Sequence, residues 1–409
     1  MADLKVEVDP AEVGFDARKL ERIDRHFARY VDDGELPGWL IVVSRNGKVA
    51  HCSSYGHRDK EAGLAVEVDT IWRIASMTKP IVSVAAMILY EEGAFELSDP
   101  VSAFIPAFSE ARVYQSGPAE HLVTEPTAEP VRIWHLLTHT AGLLGPANAG
   151  HPVHAMYQAA GFGLGASPEG KDLAACCELL AGLPLLFQPG TEWNYSWATD
   201  VLGRVVEVAS GQSLDRFMTE RIFGPLGMPD TAFWVGETDA PRLATRYVRD
   251  PDTGTALRDE SASRSILERP TFLSGGGGLV STAPDYHRFA TMLLRRGELD
   301  EVRLLGSRTV RYMMANHLPG RADLESFGRP LFPPPTFKGM GFGLGLGVVD
   351  EPVANKVLCS TGAVTWGGAL STEFWVDPHE DMVMVFMTQL FPLSRFSRLR
   401  QLVYQALID

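Results

Sequence analysis

Residues 75–80 read Ala75-Ser76-Met77-Thr78-Lys79-Pro80. A serine and a lysine three positions apart meet on one face of a helical turn, so the amine can reach the hydroxyl. A serine hydroxyl is a weak nucleophile at neutral pH until an adjacent base removes its proton. The stretch that follows, Ile81-Val82-Ser83-Val84-Ala85-Ala86-Met87-Ile88-Leu89-Tyr90, is apolar on nearly every side and stops at Gly93. Such a pattern predicts a buried helix, with Pro80 and Gly93 at the ends that suit them. Ser76 then lies at the N-terminus of a central helix, where backbone N–H groups and the helix dipole favour an attacking alkoxide and an oxyanion. Ser-x-x-Lys alone is a weak signal. It occurs once in the chain, and the remaining sequence has to support it.

The chain of 409 residues predicts one large or two interlocked domains, and 45% hydrophobic with 22% charged residues is ample for a core. A formal net charge of −14 argues against nucleic-acid and anionic-membrane partners, both of which need clustered Lys and Arg. Cys52, Cys176, Cys177 and Cys359 have no metal-ligand spacing, and adjacent Cys176 and Cys177 make a poor disulfide. They read as free thiols in a reducing compartment. No signal peptide or bilayer-length apolar run is seen, so a cytoplasmic location is expected, and no metal or cofactor.

Toward the N-terminus, Leu20, Ile23, Phe27 and Tyr30 recur at helical spacing, predicting a helix over 16–30. Asn46-Gly47 between two β-rich runs predicts a hairpin. A brief extended segment over 69–74 leads into the Ser76 helix. The middle of the chain alternates helices with long loops, over 114–130, 144–171 and 319–337, which are expected to rim a pocket. Between the first two, 133–142 reads as a short helix ended by Gly142. His135 and His139 are four apart there, but they lack the zinc-protease glutamate and a third ligand. We read them, and His151 with His154, as structural. An amphipathic helix is predicted over 198–209 and a second over 214–222. The glycine run 275–278 is followed by no Gly-Lys-Ser/Thr, so close backbone approach explains it better than a phosphate cradle. Thr282 reads as an N-cap with Pro284 and Asp285 in the first turn. Strand texture returns over 341–349, 373–377 and 382–388, and a final helix covers 397–407. Strands therefore cluster at both ends of the chain. The expected fold class is α/β (α+β type), an antiparallel sheet flanked by helices. Residues 1–85 and 340–409 form a discontinuous α/β domain, and 86–339 a mostly helical one.

A serine–lysine hydrolase also needs a proton shuttle and an oxyanion hole. Two stretches offer them: Asn194-Tyr195-Ser196-Trp197 ahead of the 198–209 helix, and Thr365-Trp366-Gly367-Gly368-Ala369 ahead of the 373–377 strand. A tyrosine near a lysine can exchange protons with a substrate. A Gly-Gly turn at a strand edge can present an unpaired N–H to a carbonyl oxygen. Taken singly, Tyr195 could equally be a half-buried aromatic and Trp366 a core residue.

In order and texture, Ser76-Met77-Thr78-Lys79, Tyr195-Ser196-Trp197 and Trp366-Gly367-Gly368 resemble the three motifs of the serine β-lactamase and penicillin-binding-protein superfamily. The likeness is closer to its class C-like branch, the family VIII carboxylesterases. Supporting stretches, among them 135–143 and 276–282, spread it over most of the chain. The resemblance implies a β-lactamase/transpeptidase-like fold and a Ser76 acyl-enzyme. It implies Lys79 and Tyr195 acting jointly as base, with Tyr195 returning the proton to the leaving alcohol. The N–H groups of Ser76 and Ala369 would form the oxyanion hole, while Trp197, Trp366, Gly367 and Gly368 would contact substrate.

Two departures from the family pattern choose between branches. The second motif ends in Trp197 where lactamases and peptidases usually carry asparagine. The third begins with Trp366 where they carry lysine or histidine. Losing an amide anchor and a cation disfavours a carboxylated lactam or D-peptide, and gaining two aromatics favours an apolar acyl or alcohol group. Absence of Gly-x-Ser-x-Gly removes an α/β-hydrolase elbow. The expected activity is hydrolysis of small carboxylic esters. The rivals are an acyltransferase of the same architecture, a class C-like β-lactamase or D-peptidase, and, more remotely, a non-catalytic binding protein. Natural substrate and oligomeric state stay open.

Overall fold

Strand Gly38–Arg45 carries Trp39 to Val43 as an unbroken apolar run, and every one of these side chains is buried. Strand Met382–Met387 is buried at all six positions. An antiparallel strand with one wet face would alternate instead, so these two must be covered on both sides. A computed structural model, describing residues 4–145, 150–163, 167–260, 264–328, 337–394 and 397–408, shows how. Eight antiparallel strands form one sheet in the spatial order 340–342, 347–349, 364–367, 373–377, 382–387, 38–45, 48–59 and 64–65. The two apolar strands are neighbours near its middle, with Leu40 opposite Met387 and Val42 opposite Val385. Helices Ala17–Asp32 and Ser397–Tyr404 pack together, the first against strand Lys48–Asp59 and the second through Tyr404 on Trp375. Helix Ala283–Leu294 packs on strands Met382–Met387 and Glu373–Asp377.

The local signals behave as the residues dictate. Asp16 caps the first helix by accepting from the Lys19 N–H at 3.1 Å. Asn46 and Gly47 both take positive φ, 53° and 75°, the pairing a two-residue hairpin loop needs. Thr282 caps Ala283–Leu294, with Pro284 in its first turn. The central helix runs Thr78–Glu91 and is buried from Thr78 to Leu89. It packs against helix Ala198–Ser210. All four cysteines are free thiols.

Several expectations are corrected. The stretch 114–130 falls largely in a hairpin that begins just ahead of it, Arg112–Ser116 with Val123–Pro126, held by the Arg112 guanidinium on Thr124 and by buried Val113. Within 144–171, Pro152–Ala159 is a helix that buries Val153 and Tyr157, and His151 caps it through Nδ1. Residues 146–149 and 164–166 of that stretch, and 329–336 of the stretch 319–337, lie outside the described residues. The helix expected over 133–142 is only Ile133–Leu137. His139 already has a φ of 55° and breaks it. Among the described residues no helix is long and apolar enough to cross a membrane.

Candidate active site

The turn carrying Ser76 is a single 3₁₀ turn, Ala75–Met77, feeding directly into Thr78–Glu91. Three hydrogen bonds with Leu279 and Tyr286 pin it. The Ile74 N–H donates to Leu279 O, and Leu279 N–H donates to Thr78 Oγ1. The Tyr286 hydroxyl donates to Met77 O at 3.0 Å. Ala75 is held at a φ of 44°, a conformation L-residues seldom take and one that surrounding bonds must enforce. Ser76 is half-buried, whereas Lys79, one turn on, is only 5% exposed.

Lys79 Nζ lies 3.3 Å from Ser76 Oγ and donates to Gly276 O at 2.5 Å. It also sits 4.4 Å from the centroid of the Tyr195 ring. Ser76, Lys79 and Tyr195 are thus brought together from positions 119 residues apart. Tyr195 is buried, and its hydroxyl oxygen accepts from Trp366 Nε1 at 3.3 Å. Indole N–H can only donate, so this bond occupies a Tyr195 lone pair and leaves the phenolic proton available for another partner.

Segment 194–197 is fastened to segment 139–144. Asn194 N–H donates to His139 O, its side-chain amide to Leu143 O, and Trp197 N–H to Leu144 O. His139 Nδ1 pairs with Ser196 Oγ at 3.2 Å, and its ring lies 4.9 Å from that of Tyr195. Burial drives the His139 imidazole well below its ordinary range, with the Lys79 charge acting the same way, so the ring is neutral. His135 instead accepts from the Arg132 N–H and faces Glu129 at 3.9 Å. The two histidines share no helix face, and the described residues contain no cluster able to hold a metal.

The third stretch ends strand Val364–Gly367, where Trp366 pairs with Phe374. Trp366 packs on Tyr195 and Phe342, with ring centroids 5.3 Å away in each case. Gly368 admits no side chain: a Cβ there would lie 2.5 Å from Ile74 O and 2.3 Å from Thr372 Oγ1. The turn holding Ala369 is thereby pressed against the backbone just ahead of Ser76. Nothing among the described residues accepts from the Ala369 N–H. Trp197 packs against Phe162 and Phe272 at 5.2 and 6.5 Å and stays partly exposed.

The sequence reading overlooked Asp200. Its carboxylate is 2% exposed and accepts at Oδ1 from Ser274 Oγ (2.7 Å) and from Gly276 N–H (3.0 Å). Burial raises its pKa, opposed by the Lys79 charge and by these two donors. In the sequence it falls on the polar side of the predicted helix, with Arg204 and Glu207 four and seven positions on, so nothing in the pattern marked it.

The sequence matches the Beta-lactamase family over residues 23–407. The chain belongs to that family. It is a β-lactamase/transpeptidase-like fold and a serine hydrolase, with esterase and acyltransferase relatives. It is 36% identical to Protein Rv1367c of Mycobacterium tuberculosis over 367 residues, 88% of each chain. To Esterase EstB of Burkholderia gladioli it is 31% identical over 397 residues, 93% of each chain. Among solved structures it superposes on EstCE1, described as a hydrolase with promiscuous acyltransferase activity. The TM-score is 0.80 at 27% identity, over 95% of this chain and 99% of that one.

Proposed function

We propose that this Beta-lactamase-family chain is a carboxylesterase that cleaves small esters through an acyl-enzyme on Ser76. The observation that carries the reading is the buried Lys79 amine, 3.3 Å from Ser76 Oγ and lying over the Tyr195 ring. Ser76 Oγ attacks the ester carbonyl, and its proton passes to the Lys79–Tyr195 pair. The N–H groups of Ser76 and Ala369 receive the oxyanion, and preorganised donors of this kind commonly supply the largest single catalytic contribution. Tyr195, its oxygen held by Trp366, gives the proton to the departing alcohol. Water then attacks the acyl carbon, loses a proton to the same pair, and releases the acid as Ser76 regains its proton. Protons in such a pair come off in macroscopic steps that belong to both groups together.

Ester over lactam rests on the aromatic lining. Trp366 spends its N–H on Tyr195 and offers no charge to a substrate carboxylate. Trp197, with Phe162 and Phe272, presents apolar surface. The likeness to EstB agrees. Acyl transfer is the second reading, favoured by the likeness to EstCE1, and differs only in that an alcohol replaces water at the second step.

The test is labelling with a fluorophosphonate probe, with the adduct mapped by mass spectrometry. Labelling at Ser76, lost in Ser76→Ala together with p-nitrophenyl butyrate turnover, is the expected result. Turnover that survives in Ser76→Ala, or an adduct elsewhere, refutes it. A chromogenic cephalosporin hydrolysed as fast as the butyrate ester would reverse the substrate ranking. An added alcohol that diverts product into a new ester would favour transfer.

A further inference from the structure

Lys79 donates to the carbonyl of Gly276, and the N–H of that same residue donates to Asp200 Oδ1. A buried carboxylate and a buried amine therefore flank one glycine residue, its N–H on the first and its C=O on the second. Ser274 Oγ makes a second bond to the same carboxylate oxygen at 2.7 Å, fixing the strand of chain between them. The arrangement admits only glycine: a Cβ on residue 276 would lie 2.4 Å from Asp200 Oδ2, and one on residue 275 would lie 2.6 Å from Thr199 O. Asp200 lies in the first turn of helix Ala198–Ser210, five positions beyond Tyr195, so one short stretch of chain, 195–200, carries both groups.

We infer that Asp200 is a positioning residue for the reaction, holding the Gly276 backbone against the Lys79 amine and setting a carboxylate beside the Lys79–Tyr195 pair. It touches neither Ser76 nor, on this placement, the substrate. Its charge acts across a water-poor interior, where a carboxylate stabilises a nearby ammonium far more than at a surface. The other groups that face Lys79 are Ser76 from its own turn and the rings of Tyr195 and His139. His139 is neutral at working pH, and Tyr195 is half of the titrating pair. Asp200 is therefore the one negative charge among the groups named here that bears on the pair's loss of a proton.

The inference rests on the Ser76 reading of the preceding section, and its test separates the two. The pH profile of kcat/KM for p-nitrophenyl butyrate is measured for wild type, Asp200→Asn and Ser274→Ala, alongside thermal melting and fluorophosphonate labelling. Asp200→Asn removes the charge while keeping the shape, so the pair deprotonates more readily. The midpoint of the acid limb is expected about one pH unit lower. Ser274→Ala keeps the charge and deletes one donor, so kcat/KM falls several-fold with the midpoint unmoved. A fall in rate at every pH with a fixed midpoint in Asp200→Asn would mark Asp200 as merely structural and overturn the inference. If Asp200→Asn does not fold, Ser274→Ala decides, and a wild-type rate there overturns it. Loss of Ser76 labelling in wild type would sink the acyl-enzyme reading itself, whereas labelling with an unmoved midpoint sinks only the role of Asp200.

Discussion

Replacing Gly368 by alanine tests whether the close approach of the 366–369 turn to the Ser76 turn matters for chemistry. The new Cβ would start 2.5 Å from Ile74 O and 2.3 Å from Thr372 Oγ1. A carbon–oxygen contact settles at about 3.3 Å, in the range seen for close C–H···O contacts. The Thr372 hydroxyl can rotate aside, but the Ile74 carbonyl is backbone, so the two turns must separate by about 0.8 Å. Overpacking of this kind costs about 1–3 kcal/mol of stability. The catalytic cost is larger. A misplacement of about 1 Å can cost roughly 100-fold, and losing one oxyanion donor costs about 100- to 1,000-fold in kcat. The expected result for Gly368→Ala is a folded protein with kcat for p-nitrophenyl butyrate down about 100-fold. Labelling at Ser76 by fluorophosphonate should be slowed to match. Gly367→Ala supplies the control: its Cβ meets only Thr372 O, at 3.1 Å, and kcat should fall less than about 10-fold. A Gly368→Ala protein with kcat within about threefold of wild type, melting as wild type does, would refute the placement of the Ala369 N–H in the oxyanion hole.

Other consequences can be measured in the same assays. Trp366→Phe keeps the ring packing but deletes the donor to Tyr195, and should lower kcat about 10-fold with little change in melting temperature. Tyr195→Phe should cost more, about 100- to 10,000-fold, as expected for loss of a general acid–base group. Asp16→Ala removes the cap of helix Ala17–Asp32 and should reduce unfolding free energy by about 1 kcal/mol in a urea titration, with kcat unaltered. His135 and His287 are both pushed down to about 4 by burial, so the folded state prefers them neutral. Their contribution is fully present above about pH 6.5 and is lost as pH falls toward 4, up to about 3 kcal/mol each. Urea midpoints should therefore drop between pH 7 and pH 4.5, and a flat profile would contradict the buried neutral state.

The readable parts of this chain were those where one local force dominates. Asn46-Gly47 demands positive φ at both positions, and the strands on either side follow from it. The apolar run after Lys79 can only be buried, and it is. The hairpin Arg112–Ser116 with Val123–Pro126 escaped notice because its connection, which holds Gly117 and Pro118, is longer than a tight turn. Its stability comes from the Arg112–Thr124 bonds and from Val113 reaching the core, both tertiary. The expected 133–142 helix runs too far because Gly142 is the visible stop, whereas the chain already turns at His139, whose φ is positive. Ser76, Lys79, Tyr195 and Trp366 could be named from order and motif. Asp200 could not, since an aspartate on the polar side of its helix, in line with Arg204 and Glu207, acquires meaning only when Ser274 and Gly276 close on it. A structural role for His139 fits its bond to Ser196 and its packing on Tyr195, which place it beside the site.

Strand Gly38–Arg45 lies between Lys48–Asp59 and Met382–Met387. During synthesis the first hairpin leaves the ribosome more than 300 residues before the partner that covers its other edge. Until then Leu40 to Ser44 present unpaired backbone on a strand that is apolar on both faces, the kind of edge that recruits other chains. Such long-range pairing is intrinsically slow to form. A chain stopped anywhere before residue 382 should therefore be both inactive and aggregation-prone, even with Ser76, Lys79 and Tyr195 all in place. Supplying the missing C-terminal segment as a separate peptide is the natural route to a split, reconstitutable form of this protein.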